Sequence, residues 1–315
     1  MGKSDSQAFR SALRSGDRVG LARVPKSDLH NHSILGTRIE RIEKWIGQSL
    51  RHAPVRMPSL DEMIKYAQDV VYPHTVTRAG FEFTTESAIL DAIDDGVRVL
   101  EMSLDVRFIS LFNEGPDEFF PFISALVQKF KPQIDFRPEI GMSKDRPAPG
   151  QIDLAWACVD SGLYHSIDLY GNETAQPVES FQRLYAYAKN RGLKLKAHAG
   201  EFAGPYYIER TLELLGLNEI QHGVRAASSK ELMDRLRRER IRLNVCPSSN
   251  VALGIVENIA HHPIRTLFDN GVRVTVNTDD LTIFGSSISQ EYLLLYQSGL
   301  MTDSELDEIR MEGLR

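Results

Sequence analysis

From residue 97 onward, short apolar runs rich in Val, Ile and Leu alternate with longer stretches whose apolar positions recur three and four residues apart. The first kind of run reads as a buried strand and the second as an amphipathic helix. Strands are predicted over residues 97–104, 135–141, 166–170, 193–198, 219–222, 242–246 and 272–277. Helices are predicted between them, over 119–130, 153–161, 177–190, 206–215 and 229–240, with a short one ending near Asn270-Gly271. The helix over 177–190 stops just before Gly192, a residue suited to the left-handed position past a helix end. Ahead of this regular stretch, residues 6–21 read as a polar helix, either covering one end of the molecule or lying on its surface. An apolar-flanked run ending at His32 is the first strand. Residues 36–72 carry helical spacing through Ile39, Ile42, Ile46 and Leu50, then Leu60, Met63 and Ile64, with Pro54 and Pro58 dividing two helices. A further amphipathic helix is predicted over 87–93, ending at Gly96.

Strands alternating with helices imply parallel pairing through right-handed crossovers, and eight such strands suffice to close a barrel. The expected fold is therefore a (β/α)8 TIM barrel with a helical insertion after the first strand. No internal repeat, low-complexity segment or linker rich in Pro, Gly or Ser divides residues 1–315, so one domain is expected. An open doubly wound sheet would be the other arrangement, but its G-x-G-x-x-G fingerprint after a first strand is absent. Hydrophobic residues at 42% and charged residues at 25% are ordinary globular usage. A net charge of −6 gives no basic footprint for nucleic acid. The two cysteines, Cys158 and Cys246, are far apart, and no apolar N-terminal stretch resembles a signal peptide or membrane helix; a cytoplasmic setting is expected.

In such barrels the chemistry sits at the C-terminal ends of the strands. His30 and His32, His198, His222 and the pair Asp279-Asp280 all fall at predicted strand ends. Two histidines separated by one residue project from the same face of a strand and can reach one ion. An isolated H-x-H is commonly a polar strand edge; four strand ends carrying compatible groups change that reading. Imidazoles and a carboxylate with an open position suit a catalytic zinc, and the lack of clustered cysteines argues against a closed structural site. Iron or another first-row metal fits the same donors. Glu201 follows Gly200 in the loop beyond His198, where its carboxyl group would face a substrate rather than the metal; taken alone, it reads equally as a solvated loop glutamate.

The runs Lys196-Ala197-His198-Ala199-Gly200-Glu201, His222-Gly223, Val245-Cys246-Pro247-Ser248-Ser249-Asn250 and Val274-Thr275-Val276-Asn277-Thr278-Asp279-Asp280 resemble the adenosine deaminase family of the amidohydrolase superfamily. The resemblance spans residues 26–291. It implies one zinc per chain held by His30, His32, His198 and Asp279, and hydrolytic removal of an amino group from a purine-like ring. It makes Glu201 the proton donor to the ring, and His222, with Asp279, the partner of the attacking water. It gives Asp280 a hydrogen bond to ring N7, the Gly171 N–H a contact to ring N3, and His32 a place beside the substrate as well as on the metal.

One departure stands out. The family's first strand is usually followed by an acidic residue and glycine, whereas His32 here is followed by Ser33-Ile34-Leu35-Gly36. Recognition of the sugar by the usual carboxylate is therefore not expected. The two-helix insertion, with Trp45 and an apolar face, is expected to roof the pocket. Arg38 and Arg41 are candidate cationic contacts, although a solvated helix face also accounts for them. The expected partner is a small molecule, a purine nucleoside or base, with ammonia as product; deamination of another amino-heterocycle, or an amide-type hydrolysis, is the alternative. The strand ending Ile167-Asp168-Leu169-Tyr170 lacks the lysine that bridges two metals in binuclear members of the superfamily, so one metal is expected.

Overall fold

In a computed structural model, which describes residues 3–315, eight parallel strands follow one another in chain order. They are β1 (Lys26–Asp28), β2 (Val97–Asp105), β3 (Asp135–Ser143), β4 (Ser166–Tyr170), β5 (Lys194–Ala199), β6 (Glu219–His222), β7 (Arg242–Val245) and β8 (Arg273–Val276). Just past β8, the Asp279 N–H donates to the His30 carbonyl at 3.0 Å, and Asn31 and Asp279 form a bridge. The sheet thus returns on itself as the expected (β/α)8 barrel. Among the described residues, no helix is long and apolar enough to cross a membrane.

Period-two alternation sorts each strand. Leu100, Met102 and Leu104 of β2 are buried in the hydrophobic core, while Glu101, Ser103 and Asp105 face the barrel interior. Interior positions of TIM barrels usually hold branched apolar residues, but here the lower interior is ionic. The fully buried Lys196 ammonium lies against carboxylate oxygens of Glu101 and Glu139 and 3.8 Å from Glu219, which Arg242 pairs at 2.6 Å. Such a cluster is costly to desolvate and is tolerated because nearly every charge meets an opposite one.

That interior also holds the first strand. β1 has only three paired residues, yet the Leu29 carbonyl just beyond it accepts from Lys196 Nζ at 3.1 Å and from Gln221 Nε2 and Asn244 Nδ2 at 3.4 Å. The Leu29 N–H donates to Asn277 Oδ1 at 2.8 Å. Side chains from β5, β6 and β7, and from the end of β8, therefore fix the backbone immediately before His30.

Outside the barrel, the stretch at 6–21 is two helices, Lys3–Ser15 and Arg18–Ala22, which bury Phe9, Leu13 and Leu21 beneath the barrel beside the C-terminal helix Asp303–Gly313. The helix expected at 87–93 extends over Arg78–Asp94, capped by Thr77, and is not amphipathic. Buried Thr84, Thr85, Ser87 and Asp91 interrupt its apolar pattern because both of its faces are covered. The insertion divides as expected, into Ile39–Ile46 and Leu60–Tyr66, the latter running through a π-helical turn, Ala67–Val71, into Tyr72–Thr75. The insertion roofs the cavity as expected, but through Leu60, Met63 and Ile64, and three of its candidate side chains lie elsewhere. Trp45 does not roof the cavity; it stacks on Phe83 at 4.6 Å, half-exposed on the outer surface. Arg38 and Arg41 do not reach the cavity either, because both guanidinium groups bind the buried Asp91 carboxylate, at 3.3 and 2.7 Å.

Candidate active site

A cavity of about 390 Å³ opens at the C-terminal ends of the strands. Leu60, Met63 and Ile64 form its apolar roof, and His32, His198, Glu201, His222, Asp279 and Asp280 line its floor. His30 lies beneath, fully buried. The candidate metal ligands and proton-transfer residues named from the sequence are thus gathered at one place.

His30 and His32 aim their Nε2 atoms at the same carboxylate oxygen, Asp279 Oδ1, at 3.5 and 3.4 Å. His198 completes a group of three imidazoles whose ligand atoms lie within 4.8 Å of one another. The His30 and His198 Nε2 atoms are buried without a hydrogen-bond partner. Orphaned lone pairs of this kind are expensive unless something electrophilic takes them up. The donor set, nitrogen and carboxylate oxygen without thiolate, fits a divalent first-row metal. Electrostatics point the same way. Burial opposes a charge on His32, yet Asp280, Asp279 and Asp168 outweigh it and push the imidazole up to about 10, so the local field calls for a cation. Asp279, despite burial, is held well below the usual carboxylate range by His30, His32 and His222.

His222 and Asp279 both adopt left-handed backbone conformations, at φ 61° and 63°. Side-chain-bearing residues take that region at a cost of about 1–3 kcal/mol, which the surrounding structure must offset. In each case the chain turns off its strand so that the side chain points across the barrel mouth. His222 Nε2 then lies 3.5 Å from Glu201 Oε2 and 3.8 Å from Asp279 Oδ2.

Glu201 depends on two local devices. Gly200 stands at φ 76°, and a β-carbon there would meet Ile208 Cδ1 at 2.2 Å, so any other residue would strain the backbone and have to push Ile208 aside. Buried Glu173 accepts the N–H groups of Glu201, Phe202 and Ala203 at 3.0, 3.2 and 2.6 Å, clasping the loop. Burial, reinforced by Asp279, Glu173 and Asp280, raises the Glu201 carboxyl well above its ordinary range. Burial likewise raises Asp280 to about 7, and its Oδ1 has no partner. Gly171 reaches the cavity at φ 85°, with so little room that a β-carbon would meet Asp145 Oδ2 at 2.1 Å.

Sequence reasoning missed four neighbours. Asp168 in β4 lies 3.3 Å from His198 Nε2, with both oxygens otherwise unpartnered. Its signal was a carboxylate at an inward position of an apolar strand, where only a lysine was sought. Tyr170 packs edge-on against His32 at 5.0 Å and donates to Asp105 at 2.6 Å. Glu173 and Asn250 carried no local signal, since they act on loops distant in sequence.

Comparison with known proteins agrees with this geometry. The adenosine deaminase family model matches residues 151–315. A putative adenosine/adenine deaminase of Treponema pallidum is 36% identical over 279 residues, 89% of this chain and 93% of that protein. The chain belongs to the adenosine deaminase family. Adenine deaminase from Arthrobacter aurescens shares the fold, with a TM-score of 0.78 and 23% identity over 92% of this chain and 93% of that one. So does an amidohydrolase from Burkholderia ambifaria with bound Zn, with a TM-score of 0.76 and 20% identity over 95% and 87%. As a member of the adenosine deaminase family, this chain is an amidohydrolase-type enzyme whose reaction is deamination of the adenine/adenosine kind.

Proposed function

We propose that the enzyme hydrolyses the exocyclic amino group of an aminopurine, adenosine or a related nucleoside or base, with one zinc held by His30, His32, His198 and Asp279. The observation that carries this reading is the placement of a buried carboxyl group, Glu201, opposite three imidazoles and Asp279 across one cavity. A zinc bound there would lower the pKa of water to about 7 and so make a nucleophile available at neutral pH. The protein's own groups do the rest. The ring lies against Gly171, where the absence of a side chain permits close approach and the N–H meets ring N3. Protonated Glu201 gives its proton to the ring nitrogen beside the amino-bearing carbon, which draws electrons away from that carbon as the nucleophile adds. Asp280, whose Oδ1 has no partner in the free enzyme, takes up a proton when the ring binds and donates this O–H to ring N7, an acceptor. His222 and Asp279 hold the nucleophile against the amino-bearing carbon; once it has added, Asp279 takes the proton of the added oxygen and passes it to the amino group, the C–N bond breaks and ammonia departs. His32 also borders the substrate through its partly exposed edge.

The test has two parts. Purified protein should contain about one equivalent of divalent metal per chain, and His30→Ala or Asp279→Ala should lose both the metal and turnover; two equivalents would overturn the mononuclear site. A panel of aminopurines, nucleosides, nucleotides and pterins, assayed by ammonia release, should identify an aminopurine as substrate; release from pterins alone would overturn the substrate class.

A further inference from the structure

His222 belongs to a hydrogen-bonded line that leaves the cavity, and the line has a direction. At its far end the backbone N–H of Ile264, which can only donate, points at His262 Nδ1 at 3.1 Å. That nitrogen must therefore carry the lone pair, and the single proton of the neutral ring sits on Nε2. His262 Nε2 lies 3.2 Å from Asn250 Oδ1, an acceptor. The amide nitrogen of Asn250, which can only donate, then faces His222 Nδ1 at 3.2 Å. Burial pushes His262 down to about 3, consistent with a neutral ring. All three side chains are buried, and Asn250 is itself anchored through its backbone, its N–H to the Cys246 carbonyl and its carbonyl to the N–H groups of Ile255 and Val256, each at 3.0 Å.

We infer that Asn250 and His262 are positioning residues that lock His222 as its Nε2–H tautomer, so that it meets the reaction centre as a hydrogen-bond donor and cannot serve as a metal ligand or as a proton-accepting base. The neighbouring ring is set the opposite way. His30 Nδ1 faces the Asn244 carbonyl and Cys246 Sγ, each at 3.3 Å; the carbonyl can only accept, which places the proton on Nδ1 and the lone pair on Nε2. Two imidazoles with centroids 4.5 Å apart thus present different chemistry to the same space, a lone pair from His30 and an N–H from His222. This distinction selects between imidazoles that lie close together, since His222 shares one set of neighbouring ligand atoms with His30 and another with His198. It also assigns the His222 N–H a task within the proposed reaction, which this inference takes as given: it donates to the attacking oxygen and orients a lone pair toward the ring.

The tautomer is measured directly on the metal-loaded full-length enzyme labelled with ¹⁵N-histidine, using long-range ¹H–¹⁵N spectra with His222→Asn to assign the ring. His222 should show an unprotonated Nδ1 and a protonated Nε2, and Asn250→Asp, which replaces the donor with an acceptor, should move the proton to Nδ1. A proton on Nδ1 in the wild-type enzyme would overturn the inference without any variant having to fold. In turnover, His262→Leu should lower kcat about tenfold or more with KM changed by less than about threefold and metal content unchanged. His262→Gln, whose amide offers an acceptor and a donor in similar positions, should recover most of that loss. Equal kcat in the two variants would overturn the role of His262. Because the spectra need no substrate, failure of the relay is distinguishable from failure of the deaminase reading.

Discussion

Glu201 is only 4% exposed, and its Oε1 has no partner, so what this carboxyl group does is governed by its proton. Burial and the neighbouring carboxylates keep that proton on at a pH where a solvated glutamate would have lost it. Glu201→Gln preserves shape and hydrogen-bonding reach but cannot pass the proton on. That variant should keep its metal and its affinity for ring-like inhibitors while kcat falls by about 10² or more; turnover near that of the wild type would remove Glu201 from the reaction. The alkaline limb of the kcat profile has the sign of the raised pKa: activity is present while Glu201 is protonated and declines as pH rises through its folded pKa. The sequence placed this residue by its spacing from His198 and by the adjoining Gly200. Its environment depends on Glu173 and Asp279, whose distance along the chain gave no warning of their contact with the loop.

Among the elements, the loop after β1 and the loops after β2 and β3 line the cavity beside the proposed ring site. Ile34 and Leu35 line the cavity and offer no acceptor, as the departure from the family pattern implied. Carboxylates enter instead from Asp105 and Asp145. Asp105 is already engaged by Tyr170 and by the Arg107 guanidinium at 3.1 Å, while Asp145 accepts from Ser143 and the Asn172 N–H beside Gly171. A site whose carboxylates are already engaged by protein donors rejects the loss of a hydroxyl only weakly. Adenosine, 5′-deoxyadenosine and 5′-thio-substituted analogues should therefore have kcat/KM values within about tenfold of one another, or a non-ribosyl ring should be preferred. A preference for adenosine over 5′-deoxyadenosine of about a thousandfold would show that another residue reads that hydroxyl. The helix Leu60–Tyr66 supplies the roof in place of Trp45 because three of its apolar side chains face inward, whereas Trp45 found a partner in Phe83.

For the molecule as a whole, buried ionisable groups tie stability to pH. Glu291, on the helix Ile288–Gln297, is fully buried; its Oε2 accepts the Ser248 N–H at 3.1 Å and its Oε1 has no partner. Burial raises its pKa from the ordinary value to about 7. The folded state therefore holds a proton that the unfolded chain releases, and the stability this gives is full below about pH 4.5 and is lost as pH rises through about 7. Glu291→Gln mimics the protonated form, so thermal melts should show its Tm advantage over the wild type growing between about pH 5 and 8. A constant difference across that range would sink the assignment. By itself, the sequence determined the eight-strand alternation, the barrel, the division of the insertion at its prolines, and the placing of His198 and His222 at strand ends; the first strand stops at Asp28, short of the expected His32, so His30 and His32 stand just beyond it, as Asp279 stands just beyond β8. What it determined follows from local periodicity and from the rule that barrel chemistry sits at strand ends, and both are legible one segment at a time. Only the tertiary structure decided that Arg38 and Arg41 clamp Asp91, that Lys196 and its carboxylates support the backbone before His30, that Asp168 faces His198, and that Asn250 and His262 address His222. Each of these is a contact between residues far apart in the chain, made at a distance and in a direction that no local pattern encodes.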